Sequence, residues 1–251
     1  MSRFQDKVVL VTGGTSGIGR EAAKAFAREG AKVVISGRRE PQGQTVVAEI
    51  QAEGGQASFA RGDVGNEPDV IAILDHVIAT YGRLDVVFNN AGIEGQLGPI
   101  ENVGPADFDE VFRINVRGTW LVMKHALPHL RKSGGSIVNN SSVVADIGIA
   151  GTTIYSASKG AVHSLTRSAA IEFIKSGVRV NAVSPGPIET DMATRFFGSI
   201  ENARGFAQST VPAGAAGQVG DIAEAVLYLA SPAARFVVGQ IQTVDGGLGV
   251  Q

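Results

Sequence analysis

Short apolar segments recur along the chain and alternate with longer segments in which apolar residues return at helical spacing. The short segments are rich in valine and isoleucine, and uninterrupted apolar strands of this kind are typical of a parallel sheet covered on both faces. We therefore predict strands at Val8–Val11, Val33–Ile35, Val86–Phe88, Ile137–Val138, Val178–Val183 and Ile241–Val244.

The longer segments predict helices, because their apolar residues recur every three to four positions. These segments are Glu21–Arg28, Val70–Ala79, Phe108–Leu130, Ser158–Ile174 and Ile222–Leu229. Strands that alternate with helices predict an α/β fold with a doubly wound parallel sheet. No linker, repeat or low-complexity tract divides the chain, so we expect one Rossmann-like domain over residues 1–251.

Composition excludes several classes of protein. The net charge is −2 with both signs interspersed, so the sequence lacks the basic stripe of a nucleic-acid-binding protein. The absence of cysteine rules out disulfides and thiolate metal sites and favours a cytosolic location. The chain contains no apolar run of the length of a signal peptide or membrane span. We expect a cytoplasmic protein that binds neither nucleic acid nor membranes.

A glycine-rich turn joins the first predicted strand to a helix. Gly13, Gly17 and Gly19 give the spacing G-x3-G-x-G, which differs from the G-x-G-x-x-G of the common dinucleotide fingerprint. The physical principle is the same, since glycine lets a pyrophosphate approach the backbone at a helix N-terminus. A glycine-rich turn also closes strand–helix units that bind no ligand, so the turn alone leaves both roles open.

The second predicted strand ends without an acidic residue. Dinucleotide folds place an acid about 20 residues beyond the turn to bind the adenosine ribose 2′-hydroxyl. Here Gly37 occupies that region, and Arg38 and Arg39 follow it. A guanidinium can hold a 2′-phosphate that a carboxylate would repel. The sequence favours NADP(H), while NAD(H) remains possible; the alternative is that these arginines are simply solvated.

A phenol and an ammonium lie one helical turn apart in the segment IYSASKG. Tyr155 and Lys159 would project from the same face of a helix. A free phenol has a pKa of about 10, too high for easy proton exchange near neutrality. A nearby cation favours phenolate, so we expect Lys159 to lower the pKa of Tyr155 toward the range that general acid–base catalysis prefers.

Seven motifs in one order resemble the short-chain dehydrogenase/reductase family in its compact form. They are TGGTSGIG at 12–19, GDV at 62–64, NNAG at 89–92, IN at 114–115, SS at 141–142, YSASK at 155–159 and PGPIETDM at 185–192. Each motif alone is weak, but together they span nearly the whole chain. The resemblance implies about seven strands with helices on both faces. It also implies a substrate lid at about 190–215.

The resemblance implies cofactor-binding roles at matching positions. Asp63 would accept a hydrogen bond from the adenine amino group, and Ile188 and Thr190 would hold the nicotinamide carboxamide. A strand-end cap is the alternative role for Asp63. The full implied set, with the two arginines, is Gly13, Thr15, Ser16, Gly17, Ile18, Gly19, Arg38, Arg39, Asp63, Val64, Asn89, Ala91, Gly92, Tyr155, Lys159, Pro185, Gly186, Ile188 and Thr190.

The resemblance also implies a catalytic set of Ser142, Tyr155 and Lys159, with Asn115 as a fourth member. Ser142 would donate a hydrogen bond to the substrate oxygen, and Asn115 would hold a water that links Lys159 to solvent. No metal is implied, because the lysine, phenol and hydroxyl groups polarise the carbonyl. Asn115 alone could equally be a structural amide, since buried amides usually satisfy backbone groups.

Four apolar residues of the implied lid, Met192, Phe196, Phe197 and Phe206, favour a hydrophobic ketone or secondary alcohol as substrate. The alternative is that these side chains only pack the lid against the body of the protein. The expected function is that of an NADP(H)-dependent carbonyl reductase, working reversibly as an alcohol dehydrogenase. A non-catalytic dinucleotide-binding protein with the same fold is a less favoured alternative.

A 3-oxoacyl-[acyl-carrier-protein] reductase is the nearest alternative within the enzymes. It would need a basic docking surface, for which Arg113, Arg117 and Arg167 are candidates. The resemblance further implies a homotetramer paired through helices near 108–132 and 155–175. A stripe of Ala157, Ala161, Leu165 and Ala169 fits such helix pairing and fits burial within one subunit equally well.

Overall fold

The computed structural model describes residues 2–251 and contains one seven-stranded parallel sheet. Its strands are β1 (Val8–Thr12), β2 (Lys32–Gly37), β3 (Gln56–Arg61), β4 (Val86–Asn89), β5 (Ser136–Asn140), β6 (Arg179–Pro185) and β7 (Ile241–Val244). The strand order is β3-β2-β1-β4-β5-β6-β7. The chain therefore reverses its direction across the sheet between β1 and β4, and such a switch point opens a crevice beyond the carboxyl ends of the strands.

Helices cover both faces of the sheet. They are α1 (Gly17–Arg28), α2 (Glu40–Ala52), α3 (Glu67–Tyr81), α4 (Pro105–Phe112), α5 (Thr119–Ser133), α6 (Thr153–Ile174), α7 (Asp191–Phe197), α8 (Ile200–Thr210) and α9 (Val219–Ala230). Alternate residues of β1 enter opposite cores: Val9 and Val11 pack with α1, α2 and α9, while Val8 and Leu10 pack with α3, α5 and α6. The predicted doubly wound fold is confirmed. Within residues 2–251, no helix is long and apolar enough to cross a membrane.

The apolar pattern predicted six of the seven strands, and it missed β3 and α2 for a shared reason. β3 lies at the edge of the sheet, where only Ala57 and Ala60 are buried, so it has no continuous apolar run. Gly43 interrupts the helical pattern of α2 because any side chain there would clash with the ring of Phe59. These two elements pack against each other, and neither carries a strong signal by itself.

The long helix predicted at Phe108–Leu130 is interrupted. α4 ends at Phe112, a π-helical segment spans Arg113–Gly118, and α5 begins at Thr119. A π-helical turn keeps the chain helical while changing the direction of its side chains, and such turns are frequent at functional sites. This one carries Asn115.

Candidate active site

A cavity of about 670 Å³ lies along the carboxyl edge of the sheet at the switch point. The structure brings most of the predicted site residues to its wall. Those that line it are Gly13, Thr15, Ser16, Gly17, Ile18, Arg38, Arg39, Asp63, Val64, Ala91, Gly92, Ser142, Tyr155, Lys159, Pro185, Gly186, Ile188 and Thr190. The predicted residues Gly19, Asn89 and Asn115 lie behind the wall.

The conformation of the glycine-rich turn lets a ligand approach its backbone closely. Gly13 and Gly17 have φ values of 64° and 52°, a conformation that favours glycine. A Cβ atom on Gly13 would lie 2.8 Å from the Cα atom of Ala91. Gly17 and Ile18 open α1 and line the cavity, so the positive end of that helix faces it. This turn fits the pyrophosphate of a dinucleotide.

Gly19 has a packing role within the turn. A Cβ atom there would lie 2.5 Å from the carbonyl oxygen of Gly13, within the turn itself. The glycine therefore lets the first turn of α1 sit against the loop that precedes it. Gly19 therefore helps to hold the shape of the turn, and its contact with a cofactor stays a prediction.

The end of the cavity near β2 is cationic. Arg39 donates hydrogen bonds from Nη2 to Thr15 Oγ1 at 3.1 Å and to Ser16 Oγ at 3.0 Å. Arg38 is exposed beside it and lines the same cavity. A Cβ atom on Gly37 would lie 2.9 Å from Cγ2 of Thr15, so Thr15 occupies the space that an acidic side chain at position 37 would need.

Asp63 accepts hydrogen bonds within the protein and also lines the cavity. Its Oδ1 accepts a hydrogen bond from the Gly65 amide, and its Oδ2 accepts one from Arg113 Nη2, each at 2.9 Å. Burial disfavours the charged form of Asp63, but these partners outweigh burial and lower its pKa. Asp63 is therefore a carboxylate, whose remaining lone pairs can accept from a ligand in the cavity.

The guanidinium of Arg113 is paired with carboxylates. It also binds Glu110 through Nε at 2.7 Å, so it is not a free cation for an acyl carrier. Arg117 and Arg167, the other two candidates for a basic docking surface, are exposed.

At the end of β4, Asn90 lines the cavity and Asn89 does not. Because side chains alternate along β4, Asn89 turns inward and donates to the Thr119 carbonyl at 2.9 Å. Asn90 lines the cavity, and its Nδ2 donates to the carbonyl oxygens of Thr12 and Gly13. The Asn89 side chain therefore does not reach the cavity, and the cofactor-binding role that the resemblance implies for this residue stays a prediction.

A second asparagine, Asn140 at the end of β5, was also not predicted. Its Nδ2 donates to Asn90 Oδ1 at 2.9 Å, and its carbonyl oxygen accepts from Lys159 Nζ at 2.9 Å. Asn140 therefore connects the glycine-rich turn, through Asn90, to the predicted catalytic lysine. The available signal was an Asn–Asn pair at the end of each of the strands β4 and β5, at positions 89–90 and 139–140.

The predicted catalytic side chains meet at the other end of the cavity. Lys159 Nζ lies 5.6 Å from the centroid of the Tyr155 ring, and both residues are buried, with exposed fractions of 5% and 8%. Ser142 caps the short turn Val143–Ala145 and accepts a hydrogen bond from the Val144 amide. This turn packs against α6, so Ser142 and Tyr155 are held on adjacent elements.

Burial dominates the electrostatics of this cluster. It raises the pKa of Tyr155 to about 12, against a lowering contribution from hydrogen bonding with Ser142. Burial also lowers the pKa of Lys159 to about 8. The expected lowering of the Tyr155 pKa is therefore not seen in the protein alone, because burial disfavours the charged phenolate and the carboxylate of Glu94 adds to that effect.

Asn115 clamps the backbone of Ile93. Its Nδ2 donates to the Ile93 carbonyl at 2.8 Å and to Ser158 Oγ at 3.0 Å, while its Oδ1 accepts from the Ile93 amide at 2.8 Å. These bonds use both ends of the side-chain amide. The structure therefore gives the Asn115 side chain a positioning role, and the water-binding role implied by the resemblance stays a prediction.

The predicted lid consists of α7 and α8. Its aromatic side chains form a chain that starts at Tyr155: the ring of Phe196 lies 6.4 Å from that of Tyr155, Phe197 follows at 5.0 Å, and Phe206 at 4.9 Å. Met192 and all three phenylalanines line the cavity. Phe196 also packs against the cluster that contains Tyr155, so packing and cavity-lining roles coexist.

A dinucleotide-sized cleft at the switch point of a parallel sheet, with a buried tyrosine–lysine pair at one end, defines a Rossmann-like oxidoreductase. The chain belongs to the short-chain dehydrogenase/reductase family, whose members are NAD(P)-dependent oxidoreductases acting on CH–OH groups. A family model described as enoyl-(acyl carrier protein) reductase matches residues 13–249.

Comparisons with individual proteins extend over almost the whole chain. It is 40% identical over 248 residues to cyclopentanol dehydrogenase of Comamonas sp. (strain NCIMB 9872), covering 98% of each protein. The crystal structure of levodione reductase aligns with a TM-score of 0.93 at 35% identity, covering 98% of each chain. That of 3-ketoacyl-(acyl-carrier-protein) reductase from Brucella melitensis, complexed with NADH, aligns with a TM-score of 0.91 at 33% identity, covering 98% of this chain and 100% of that one.

Proposed function

We propose that this protein is an NADP(H)-dependent carbonyl reductase that also works in reverse as a secondary alcohol dehydrogenase. The observation that carries the proposal is a single cavity with Arg38 and Arg39 at one end and the buried Tyr155–Lys159 pair at the other. The names of the relatives agree with this reaction, since cyclopentanol is a secondary alcohol and levodione reductase is named for carbonyl reduction.

The chain's own residues hold the reactants and move one proton. The bound cofactor supplies the hydride that goes to the carbonyl carbon. Ser142 donates a hydrogen bond to the carbonyl oxygen, a contribution of the oxyanion-hole kind. Tyr155 Oη gives its proton to that oxygen, and the Lys159 ammonium beside the ring stabilises the phenolate that results. In alcohol oxidation the same groups work in the opposite direction.

The proposed cofactor contacts follow the cavity wall. The glycine-rich turn and the start of α1 hold the pyrophosphate, Asp63 and Val64 hold the adenine, and Ile188 and Thr190 face the carboxamide. The cofactor-binding and catalytic residues belong to one domain, residues 1–251. The lid at about 190–215 covers a hydrophobic substrate. Water exclusion under this lid strengthens every polar interaction at the reacting carbonyl.

The test is oxidation of NADPH and of NADH, followed spectrophotometrically, against a panel of cyclic and open-chain ketones. A carrier-bound 3-oxoester is included because one similar structure is a 3-ketoacyl-(acyl-carrier-protein) reductase. We expect turnover of apolar ketones, with NADPH preferred. Preference for the carrier-bound ester would favour the alternative function, and cofactor binding without turnover of any compound would favour a non-catalytic role.

The pH dependence of carbonyl reduction should follow Lys159. Its ammonium is present below its pKa of about 8 and is lost above it, whereas Tyr155, with a pKa of about 12, stays protonated. We therefore expect kcat/KM for a ketone to fall by about tenfold per pH unit above about pH 8. Rates measured between about pH 6 and about pH 10 with NADPH check this expectation, and a flat profile would contradict it.

We also propose a homotetramer that pairs through α6. Of the small-residue stripe expected at this interface, Ala157 is exposed, Ala161 and Leu165 are half-buried, and Ala169 is buried. The exposed face of α6 also carries Ser164, Arg167, Ser168 and Ile171, the last of them 70% exposed. An exposed isoleucine beside small residues suits close packing of a helix from a second subunit.

A long charged side chain on this face should break the assembly. We expect Ser164→Arg to convert the tetramer to a smaller species, because the guanidinium would be forced into a packed helix–helix contact. Light scattering after size-exclusion chromatography measures the mass directly. Gln44→Arg, at an exposed position of α2, is the matched control. An unchanged mass in the Ser164 variant would place the interface elsewhere.

A further inference from the structure

An ion pair joins two residues that line the cavity at its substrate end. Glu94 follows β4, and Arg195 lies on the lid helix α7. Arg195 binds through Nε to Oε1 at 2.5 Å and through Nη2 to Oε2 at 3.3 Å. The Glu94 side chain is only 12% exposed, whereas that of Arg195 is 59% exposed. The carboxylate therefore belongs to the wall of the cavity, and the guanidinium reaches it from the lid.

The segment that carries Glu94 is fixed on both sides. Before it, Asn115 binds the amide and the carbonyl of Ile93. After it, the Gln96 amide donates to Asp107 Oδ2 at 2.8 Å. Gly95 has a φ of 69°, and a side chain there would clash with Val111. Because Glu94 is held in place, its bond to Arg195 ties the lid to the rigid body of the protein.

The charges near the substrate end disfavour an anion away from the catalytic pair. The charged side chains that line this part of the cavity are Glu94, Asp191, Arg195 and Lys159. Arg195 is neutralised by Glu94, and Lys159 donates to the Asn140 carbonyl beside Tyr155. An anionic substituent on the substrate would therefore meet two carboxylates, and the one cation of this wall without a carboxylate partner, Lys159, lies beside the Tyr155 ring.

We propose that the Glu94–Arg195 pair latches α7 over the substrate and restricts the enzyme to uncharged ketones and alcohols. The inference rests on the proposed function and adds to it a class of substrate. Glu94 is then a specificity-determining residue, because it withholds Arg195 from any carboxylate that enters the cavity. Apolar side chains on the remaining wall, among them Val144, Ile149 and Phe206, are consistent with an uncharged substrate.

The decisive variant removes the carboxylate and keeps the arginine. In Glu94→Gln, Arg195 becomes available to a substrate anion. We expect the KM for 4-oxocyclohexanecarboxylate to fall by about tenfold or more, as for one charge-assisted hydrogen bond. The KM for 4-methylcyclohexanone should rise by no more than about fivefold, the value of one partly exposed ion pair.

Two further variants isolate the role of the arginine. Arg195→Gln should show the same modest change with 4-methylcyclohexanone and no gain with the carboxylate. Arg204→Gln removes another lid arginine, which binds Glu189 outside this cavity, and should leave the preference between the two ketones unchanged. Equal responses of the Glu94 and Arg195 variants to the carboxylate would overturn the proposal. Equal KM values of the wild type for both ketones would overturn it as well.

The latch can be measured without turnover. Hydrogen–deuterium exchange of residues 191–197 should be about two- to fivefold faster in both Glu94→Gln and Arg195→Gln, in line with the loss of one surface ion pair. Unchanged exchange would show that the pair does not hold α7. If no ketone is reduced by any variant or by the wild type, the proposed function fails, and the exchange result still decides whether the latch exists.

Discussion

Replacement of Tyr155 by phenylalanine is expected to lower kcat by about a thousandfold, in the range that positioned acid–base groups contribute. The substitution removes one oxygen and keeps the ring, so packing against Phe196 and the position of Lys159 over the ring are retained. Affinity for NADPH, measured by fluorescence titration, should change by less than about threefold, since a single neutral hydrogen bond contributes little net energy.

Tyr228→Phe provides the matched control. Tyr228 lies on α9 and is 43% exposed, so removing its hydroxyl should leave kcat unchanged. Near-normal turnover in Tyr155→Phe would refute the proposed mechanism, because no other tyrosine lines the cavity in the part of the chain that the structure describes. Loss of NADPH binding along with turnover would instead assign Tyr155 a role in holding the cofactor.

Replacement of Arg38 by alanine is expected to raise the KM for NADPH by about 10- to 100-fold, as for the loss of one charge-assisted contact. The KM for NADH should change by less than about threefold, because NADH has no 2′-phosphate for the guanidinium to hold. Arg38 is exposed at the cationic end of the cavity, so its removal leaves no buried group without a partner.

Two other arginine variants sharpen this comparison. Arg39 binds Thr15 and Ser16 in the glycine-rich turn, so Arg39→Ala should weaken both cofactors by disturbing the turn itself. Arg235, exposed after α9, should have no effect on either when changed to alanine. Equal changes in the two KM values for Arg38→Ala would refute its role at the 2′-phosphate and with it the preference for NADP(H).

The parts of the site that the sequence predicted are those formed by residues close together in the chain. The glycine-rich turn and the Tyr155–Lys159 pair each lie within a few residues of the chain. Their spacing can therefore be recognised in the sequence without knowledge of the fold. The buried central strands are similarly marked by their own apolar runs. The edge strand β3 and helix α2 are not, because each needs the other to bury its weak apolar surface.

Side-chain direction at strand ends needed the folded backbone. Asn89 and Asn90 are adjacent and identical in type, yet one binds Thr119 behind the wall and the other lines the cavity. The choice follows from the pleat of β4 and its place between β1 and β5. No pattern in the sequence distinguishes two neighbouring asparagines.

The sequence by itself determined the parallel α/β fold, the family and most of the residues that line the cleft, because these depend on periodicity and short motifs. Only the tertiary structure decided how the residues behave there. Burial, which no motif records, sets the pKa of Tyr155 at about 12 and that of Lys159 at about 8. The contact between Glu94 and Arg195 joins positions 101 residues apart in the chain, and only folding brings their charges within bonding distance.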